Sequence, residues 1–306
     1  MNKASVSVPA STANLGAGFD CLALALGLRN TVEFVEIDQG IEIVVEGEGA
    51  GRVPLDATNL IARAAERVFE RAGRRPRGLR IHAINGIPLG SGMGSSAAAI
   101  VGGLAAANAL VGGGLSRDDL LRLAYEMEGH PDNAAAAIFG GLALVSAAEE
   151  KLLVRSLQIP PLTVVIVLPD VHLSTAEARA ALPAQVPLGD AVFNIGRALF
   201  TVQALMTGEV ELLRWAVVDR LHQPYRQKLI PGYDAAVREA QRAGANAVAL
   251  SGAGPSLVAF SSSGHSEIAH AMKMAFEAGD VDCRTFILLV DQQGVRISEP
   301  PVHSLS

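Results

Sequence analysis

Apolar positions recur in short runs along the chain, and these runs predict strands in both halves. Runs of four to eight residues rich in Val, Ile and Phe, or alternating apolar with polar positions, are typical of strands. The predicted strands are 31–37, 41–46, 79–84 and 140–145 in the first half, and 162–169, 285–290 and the two arms of 247–260 in the second. A glycine-rich turn separates the two arms of 247–260.

Other segments repeat their apolar positions every three to four residues, which predicts helices. The predicted helices are 59–73, 95–111, 116–129, 189–206, 209–221, 232–243 and 265–278. Ser116 and Asp119 have the spacing of a capping box at the start of the third helix. Strands and helices alternate too irregularly for a doubly wound sheet, so the pattern predicts an α+β protein in two halves.

Length and charge limit the classes of function. The 306 residues suffice for about two domains. The chain has 25 Lys plus Arg against 31 Asp plus Glu, and this excess of acidic residues argues against broad binding of nucleic acid, which needs clustered basic residues. No apolar segment reaches the ~20 residues of a membrane span. From the charge and from this length, we expect neither a nucleic acid nor a membrane as partner. Only two cysteines and no apolar signal core predict a cytoplasmic location.

The segment PLGSGMGSSAAA, residues 88–99, lies between a predicted strand and a predicted helix and suits a phosphate-binding loop. Its glycines permit close approach of an anion, and the start of the helix supplies unpaired N–H groups with a partial positive charge. No Lys follows the last glycine, and the G-x-G-x-G spacing is not G-x-G-x-x-G, so neither common phosphate motif is present. A glycine turn ahead of a small-residue helix, with no ligand, is the alternative.

Two further glycine-rich segments support a shared ligand site. PASTANLGAGFD, residues 9–20, holds Asn14 and Asp20 in a predicted turn, and LSGAGPS, residues 250–256, lies between two predicted strands. Each segment is a weak signal alone. Three such loops in one chain indicate that they meet.

The order of these three segments resembles the GHMP family of small-molecule kinases, which includes galactokinase, homoserine kinase, mevalonate kinase and phosphomevalonate kinase. The homoserine kinases are the most similar branch, since residues 9–20 follow their first motif, and EGHPDN (128–133), STAEARAALP (174–183) and DRLHQPYR (219–226) are similar to their later segments. The first motif also lacks the Lys that many other relatives carry. Met93, where Leu is usual, and Gln223, where Glu is expected, depart from the family pattern.

The resemblance implies a fold, an activity and a set of partners. The implied fold is a two-domain GHMP-kinase fold, with a ribosomal S5 domain 2-like N-terminal domain over 1–153 and a ferredoxin-like C-terminal domain over 154–306. The implied activity is a kinase that uses ATP and Mg²⁺ to phosphorylate the side-chain hydroxyl of L-homoserine, a step toward threonine. A homodimer is also implied.

The resemblance also implies which residues hold the nucleotide and the metal. The implied nucleotide-binding residues are Asn59, Pro88, Leu89, Gly90, Ser91, Gly92, Met93, Gly94, Ser95, Ser96, Ala97 and Ala98. Asn59 would contact the base, although a helix cap explains it equally well. Ser96 and Glu128 are the implied Mg²⁺ ligands. Glu126 is the alternative to Glu128. Carboxylates at i and i+2 on a helix face different directions, so we expect only one of the two to reach the ion.

The remaining implied residues bind and align the acceptor. A zwitterionic amino acid needs a carboxylate for its ammonium group and arginine side chains for its carboxylate. The implied acceptor-binding residues are Asn14 and Asp20 for the amino and hydroxyl end, Arg179 and Arg226 for the carboxylate, and Thr175 and Gly252 beside them.

The implied catalytic residues share one turn, and they are His130, Asp132 and Asn133. Asp132 is a candidate base. We expect alignment by Asn133 rather than base catalysis, because a loose phosphoryl-transfer transition state needs little early proton removal.

Two other functions stay open at this point. Another small-alcohol kinase of the family would not need both Arg179 and Arg226. A catalytically inactive nucleotide-binding regulator would not need Ser96, Glu128 and Asp132 together.

Overall fold

Two β-sheets with packed helices form the part of the chain described in this computed structural model, residues 2–148 and 151–298. The strands are β1 (Lys3–Ala13), β2 (Leu22–Ile37), β3 (Gly40–Gly47), β4 (Gly78–Asn85), β5 (Leu142–Ala148), β6 (Lys151–Leu157), β7 (Thr163–Pro169), β8 (Ala247–Leu250), β9 (Leu257–Phe260), β10 (Cys283–Leu289) and β11 (Arg296–Ser298). The helices are α1 (Leu60–Ala72), α2 (Ser95–Leu110), α3 (Arg117–Glu128), α4 (Asp132–Phe139), α5 (Thr175–Ala180), α6 (Leu188–Thr207), α7 (Leu213–Ala216), α8 (Gln223–Arg226), α9 (Tyr233–Arg242) and α10 (His265–Glu277). Two short 3₁₀ turns cover Val210–Leu212 and Gln227–Leu229.

The first sheet has the strand order β11-β1-β2-β4-β3, and β5 and β6 extend it from the start of β2. β1 and β2 are antiparallel, whereas β3 and β4 are parallel. The register of β1 against β2 shifts between Pro9 and Ala10. Proline cannot donate to a ladder and is tolerated at such irregular positions, so β1 continues to Ala13 and carries the glycine-rich turn beyond it.

The helices α1 to α4 belong to the first half, and α2 is buried among them. Its small residues allow close packing: a Cβ at Gly102 would lie 2.8 Å from Val32 Cγ2, and one at Gly103 would lie 2.4 Å from the carbonyl oxygen of Ile61. The predicted capping box at Ser116 and Asp119 is confirmed. The small side chains therefore fix the position of the α2 N-terminus relative to the sheet.

The second sheet has the order β10-β7-β9-β8. Together with the helices after β7 and β9, this is the arrangement of a split βαβ, or ferredoxin-like, unit. Val165 and Val167 of β7 pack with α9 and α10. Val164 and Ile166, on the opposite face of the same strand, belong to the core of the first sheet. The core of the first sheet therefore extends into the second half, and a separate apolar cluster lies on the other face of β7.

The predicted helix over 209–221 is wrong in its second part. The 3₁₀ turn and α7 end at Ala216. The carboxylate of Asp219 accepts the backbone N–H groups of Leu221, His222 and Gln223. A side chain that captures backbone donors in this way competes with helix continuation. Of the helices in 2–148 and 151–298, none has the length and apolarity needed to cross a membrane.

The expected domain boundary between 153 and 154 falls inside β6, which pairs with β5 along its whole length. The chain passes from one sheet to the other between β6 and β7. It then returns to the first sheet through β11, which pairs with β1.

Candidate active site

A cleft of about 450 Å³ lies where loops from the first and the second sheet converge. Its lining residues come from the β1–β2 turn, the glycine loop with the start of α2, the α3–α4 junction, α5, α8 and the β8–β9 turn. They are Asn14, Asp20, Leu60, Gly90, Ser91, Gly92, Gly94, Ser95, Ser96, Ala97, Ile100, Met127, Glu128, His130, Asp132, Asn133, Leu173, Ser174, Thr175, Ala176, Arg179, Arg226, Gly252, Ala253 and Gly254. Most of the predicted site residues are therefore brought together.

The three glycine-rich segments contact one another directly. The backbone N–H of Ser11 donates to the carbonyl of Met93 at 3.1 Å, and that of Gly252 donates to Ala13 at 3.1 Å. The hydroxyl of Ser251 donates to the carbonyl of Gly92 at 2.8 Å. The expectation that these segments meet is confirmed.

Two glycines of the loop are required by these contacts. A Cβ at Gly92 would lie 2.4 Å from the carbonyl oxygen of Ser251, and one at Gly94 would lie 2.2 Å from the Ser11 hydroxyl oxygen. Both residues also have φ angles of 71° to 75°, which favour glycine. Any larger side chain at either position would push the three segments apart.

The N-terminus of α2 supplies donors to the cleft. The first helical hydrogen bond runs from Ala98 N–H to the carbonyl of Gly94. Among the described residues, the N–H groups of Ser95, Ser96 and Ala97 have no acceptor. Unpaired N–H groups at a helix start, with the partial positive charge of the dipole, suit an anion such as phosphate.

Three predicted loop residues lie behind the cleft rather than in it. Pro88, Met93 and Ala98 are buried. The Met93 N–H is held by the Ser91 hydroxyl, and its carbonyl is held by Ser11. Their contribution to a ligand is indirect, because their backbone groups already have partners in the protein.

A second pocket of about 290 Å³ adjoins the glycine loop and is lined mainly by apolar groups. Leu89 and Asn59 line this pocket and not the main cleft. The Asn59 carboxamide oxygen accepts from Ile61 N–H at 2.9 Å, and its NH₂ donates to the Pro54 carbonyl at 2.7 Å. Both ends of the amide are thus engaged, so Asn59 is a helix cap that shapes the pocket wall.

Glu126 and Glu128 point in different directions. Glu126 is half exposed and pairs with Arg67 on α1 at 3.2 Å. Glu128 lines the cleft, and its buried Oε2 has no hydrogen-bond partner in the described chain. Burial raises the pKa of Glu128, while a hydrogen bond from Ser96 and the nearby His130 act in the opposite direction. Only Glu128 is therefore placed to meet a cation in the cleft.

The turn before α4 places three polar side chains at one wall of the cleft. His130 Nδ1 lies 3.4 Å from Asp132 Oδ1, and this contact raises the pKa of His130. Asp132 is buried, and the same oxygen accepts Asn133 N–H at 2.8 Å. The Ser11 hydroxyl donates to Asn133 Oδ1 at 2.9 Å. This bond fixes the Asn133 amide so that its NH₂ group stays available to a ligand.

Asp20 and Arg179, which the sequence analysis places at opposite ends of an acceptor, pair with each other. The two guanidinium nitrogens donate to the two carboxylate oxygens at 2.9 and 3.0 Å. Asn14 orients this turn, since its Oδ1 accepts Asp20 N–H at 3.0 Å and its NH₂ donates to the Gly252 carbonyl at 2.8 Å. Opposite charges side by side match an α-amino acid, which carries its ammonium and carboxylate on one carbon.

Arg226 is almost fully buried, with 2% of its surface exposed, yet it lines the cleft. Its guanidinium lies 5.1 Å from the centre of the Phe19 ring, and that of Arg179 lies 5.7 Å from it. Burial lowers the pKa of Arg226, and Arg179 adds to the effect. Two arginines stacked near one ring concentrate positive charge at this end of the cleft.

Sequence reasoning missed Phe19 and Ser11 as structural parts of the site, and it left the contacts of Gln223 open. Gln223 does not reach the cleft: its NH₂ donates to the Val217 carbonyl, and its oxygen accepts Leu250 N–H at 2.8 Å. An amide both donates and accepts, which an ionised Glu cannot do. Gln223 therefore braces the start of α8 against β8.

Comparisons with known proteins find similar sequences and structures over most of the chain. Family models described as the GHMP kinases N terminal domain and GHMP kinases C terminal match residues 59–141 and 202–278. A homoserine kinase of Caldicellulosiruptor bescii is 45% identical over 96% of each chain, and one of Moorella thermoacetica is 45% identical over 91% of this chain and 94% of its own. The crystal structure of homoserine kinase from Cytophaga hutchinsonii superimposes with a TM-score of 0.88 at 34% identity, covering 97% of this chain and 98% of that chain.

Proposed function

The chain belongs to the GHMP kinase family, and within it to the homoserine kinases, and on that premise we propose that it transfers the γ-phosphoryl group of ATP to L-homoserine. The products are O-phospho-L-homoserine and ADP, in a step of threonine biosynthesis. The observation that carries the proposal is one cleft in which unpaired helix N–H groups face a pair of arginines and a carboxylate.

The glycine loop and the start of α2 bind the phosphates. The N–H groups of Ser95, Ser96 and Ala97 have no acceptor among the described residues. They donate to the phosphate oxygens. The adjoining apolar pocket, walled by Leu89 and by the segment that Asn59 caps, accepts the base. With the base in that pocket and the phosphates on the loop, the γ-phosphate would point toward the α3–α4 junction.

The residues present fit a Mg²⁺ ion, which prefers hard oxygen ligands and keeps several waters. Glu128 Oε2 is a buried carboxyl oxygen without a hydrogen-bond partner, and the Ser96 hydroxyl interacts with the same carboxylate group. Within the described residues, no three His, Cys, Asp or Glu side chains converge on one point, so the remaining ligands come from phosphate and water. Bound there, the ion would neutralise charge on the phosphate oxygens.

The acceptor binds at the other end of the cleft. Its carboxylate meets Arg226 and Arg179, and its ammonium group meets Asp20. Thr175 and the Gly252 carbonyl border this position. An isoprenoid or sugar alcohol carries no adjacent pair of opposite charges, so this end of the cleft discriminates against them.

Alignment of the acceptor hydroxyl is assigned to Asn133, whose amide is oriented by Ser11. Asp132 already accepts from Asn133 N–H and pairs with His130 through the same oxygen. We assign to Asp132 and His130 the task of holding this turn, with no obligatory base, because the transition state needs little early proton removal.

The proposed function is tested by ADP release with MgATP and a panel of acceptors: homoserine, threonine, serine, mevalonate and galactose. Turnover with homoserine well above the others supports it. Equal turnover with another alcohol would favour a different small-alcohol kinase. Tight ATP binding without turnover of any acceptor would favour a nucleotide-binding regulator.

We also propose a cytoplasmic homodimer. The exposed face of α6 is apolar: Leu188, Val192, Ile195 and Leu199 are each at least 60% exposed and follow one another at helical spacing. This stripe borders a groove of about 480 Å³ formed with β5 and β6. Contiguous apolar surface of this kind is typical of a protein interface. The cytoplasm supplies ATP and keeps Cys21 and Cys283 reduced.

A further inference from the structure

His222 is buried between the loop and the helix that form the acceptor end of the cleft. One ring nitrogen, Nε2, lies 2.8 Å from the carbonyl oxygen of Gly16 in the β1–β2 turn. The other, Nδ1, lies 3.3 Å from Nη1 of Arg226 on α8. The side chain has no exposed surface, and its ring stacks on Phe19 with centroids 5.0 Å apart. His222 therefore links the turn that carries Asp20 to the buried arginine.

These two contacts require one protonation state of His222. A carbonyl oxygen only accepts and an arginine only donates, so Nε2 carries the proton and Nδ1 is bare. Asp219 Oδ2 lies 3.6 Å from Nε2, farther away than the Gly16 oxygen. Burial lowers the pKa of His222 and Arg226 acts in the same direction, whereas Asp219, the Gly16 hydrogen bond and Asp20 oppose them. A second proton on the ring would meet the guanidinium N–H directly.

Within the described residues, Arg226 donates hydrogen bonds through two of its three guanidinium nitrogens. Nε donates to the Ala178 carbonyl at 3.2 Å, and Nη1 donates to His222 and, at 3.5 Å, to the Gly252 carbonyl. Nη2 makes no hydrogen bond to any described residue. Since Arg226 lines the cleft, the contacts with His222 and Ala178 determine where Nη2 points.

The backbone position of His222 is itself fixed by the buried carboxylate of Asp219. The carboxylate of Asp219 is fully buried and accepts His222 N–H at 2.9 Å and Gln223 N–H at 2.6 Å. Asn194 of α6 donates to the same carboxylate at 2.6 Å. The start of α8 is therefore anchored, and the distance from His222 to Arg226 is one helical turn.

We propose that His222 is a positioning residue: its neutral Nε2–H form orients the Arg226 guanidinium and holds the 14–20 turn against it. The acceptor carboxylate then meets an Nη2 group that is already in place. This inference rests on the proposed function, because it concerns the carboxylate of the same acceptor. Such a contact acts on the bound acceptor before and during transfer alike, so its loss raises KM rather than lowering kcat.

Steady-state kinetics of two conservative variants test the inference. His222→Gln keeps an N–H near Gly16 and removes the acceptor for Arg226, whereas His222→Asn keeps an acceptor near the Nδ1 position. We expect His222→Gln to raise the KM for homoserine at least about tenfold, with kcat and the KM for ATP within about threefold. We expect the homoserine KM of His222→Asn to stay close to the wild-type value. His82→Gln, on a strand away from the cleft, is the matched control and leaves all three values unchanged.

Several results would overturn the inference. An unchanged homoserine KM in His222→Gln would contradict it. An equal rise in the homoserine KM of both variants, with the ATP KM raised in parallel, would also contradict it, because that is the pattern of general destabilisation. Long-range ¹H–¹⁵N correlation on the wild-type protein provides a test that does not depend on a variant folding: an Nδ1–H or doubly protonated His222 contradicts it. Wild-type protein without homoserine-dependent turnover would refute the proposed function, and this inference with it.

Discussion

At the scale of single residues, Glu128 is the side chain whose surroundings most require a ligand from outside the chain. Its Oε2 is buried and has no partner in the described residues, and burial raises its pKa. A buried polar atom without a partner costs folding free energy. The cleft tolerates this cost near the α3–α4 junction, where the proposed function would bring the phosphates.

Replacing this carboxylate should reduce activity and increase stability at the same time. We expect Glu128→Gln to raise the Mg²⁺ concentration for half-maximal activity by about tenfold or more. With EDTA present, the free energy of unfolding should rise by about 1 kcal/mol, because a neutral amide is less costly to bury than an unpartnered carboxylate. Chemical denaturation at pH 7 and a Mg²⁺ titration measure the two effects.

Glu126→Gln is the matched control for this prediction. Its side chain is half exposed and pairs with Arg67, so neither the Mg²⁺ requirement nor the stability should change by more than a small amount. A Glu128→Gln variant with wild-type Mg²⁺ dependence would contradict the assignment.

Many of the residues that line the cleft could be predicted from the motifs, but their pairings could not. The motifs indicated Asp20 and Arg179 separately, and the ion pair between them joins positions 159 apart in the chain. The choice between Glu126 and Glu128 depended on which face of α3 packs against α1. Asn59 was ambiguous for a similar reason, because a cap and a ligand contact use the same amide.

At the scale of elements, the glycine loop acts as a spacer between three segments. The loop approaches Ser11 on one side and Ser251 on the other, with glycine at each point of contact. The geometry of the α2 N-terminus therefore depends on residues from both halves of the chain.

A methyl group at either contact should separate these segments. We expect Gly92→Ala and Gly94→Ala to raise the KM for ATP at least about tenfold and to lower stability by about 1–3 kcal/mol, since strain and overpacking both act. Gly113→Ala is the matched control: its φ of 75° equals that of Gly92, but no atom lies within 4 Å of its Cβ position. ATP kinetics and thermal unfolding of the three variants give the comparison. Equal effects in all three would show that the φ angle alone matters.

Local patterns predicted most elements, and the failures have physical causes. The helices at 59–73 and 232–243 were predicted well because their apolar positions repeat cleanly and a glycine ends or precedes each one. The predicted helix over 209–221 failed because Asp219 binds backbone N–H groups through its side chain. No strand was predicted where β1 lies, because Pro9 and the polar residues after it are not typical of a strand.

At the scale of the whole molecule, one apolar core extends through both sheets and positions the cleft at their junction. The exposed stripe on α6 is outside this core. Its buried side contributes Asn194 to the Asp219 network, so a partner on the stripe would lie next to the anchor of α8.

The α6 surface should hold two copies of the chain together. We expect the wild-type protein to sediment as a dimer and Leu199→Glu to sediment as a monomer, because a charge would be buried without a partner in the interface. Leu289→Glu is the matched control, since Leu289 has similar exposure but lies on β10. A dimer that persists in Leu199→Glu would place the interface elsewhere.

Under the proposed function, the cleft joins phosphorus to the side-chain oxygen of an amino acid. The most direct measurement is ³¹P NMR, with mass spectrometry, of the products that the 306-residue chain forms from MgATP and L-homoserine. We expect ADP and a phosphate monoester on the side-chain oxygen in equal amounts, with no excess of inorganic phosphate. Inorganic phosphate and ADP without the ester, or an acyl phosphate on the carboxylate that Arg179 and Arg226 are assigned to hold, would contradict it.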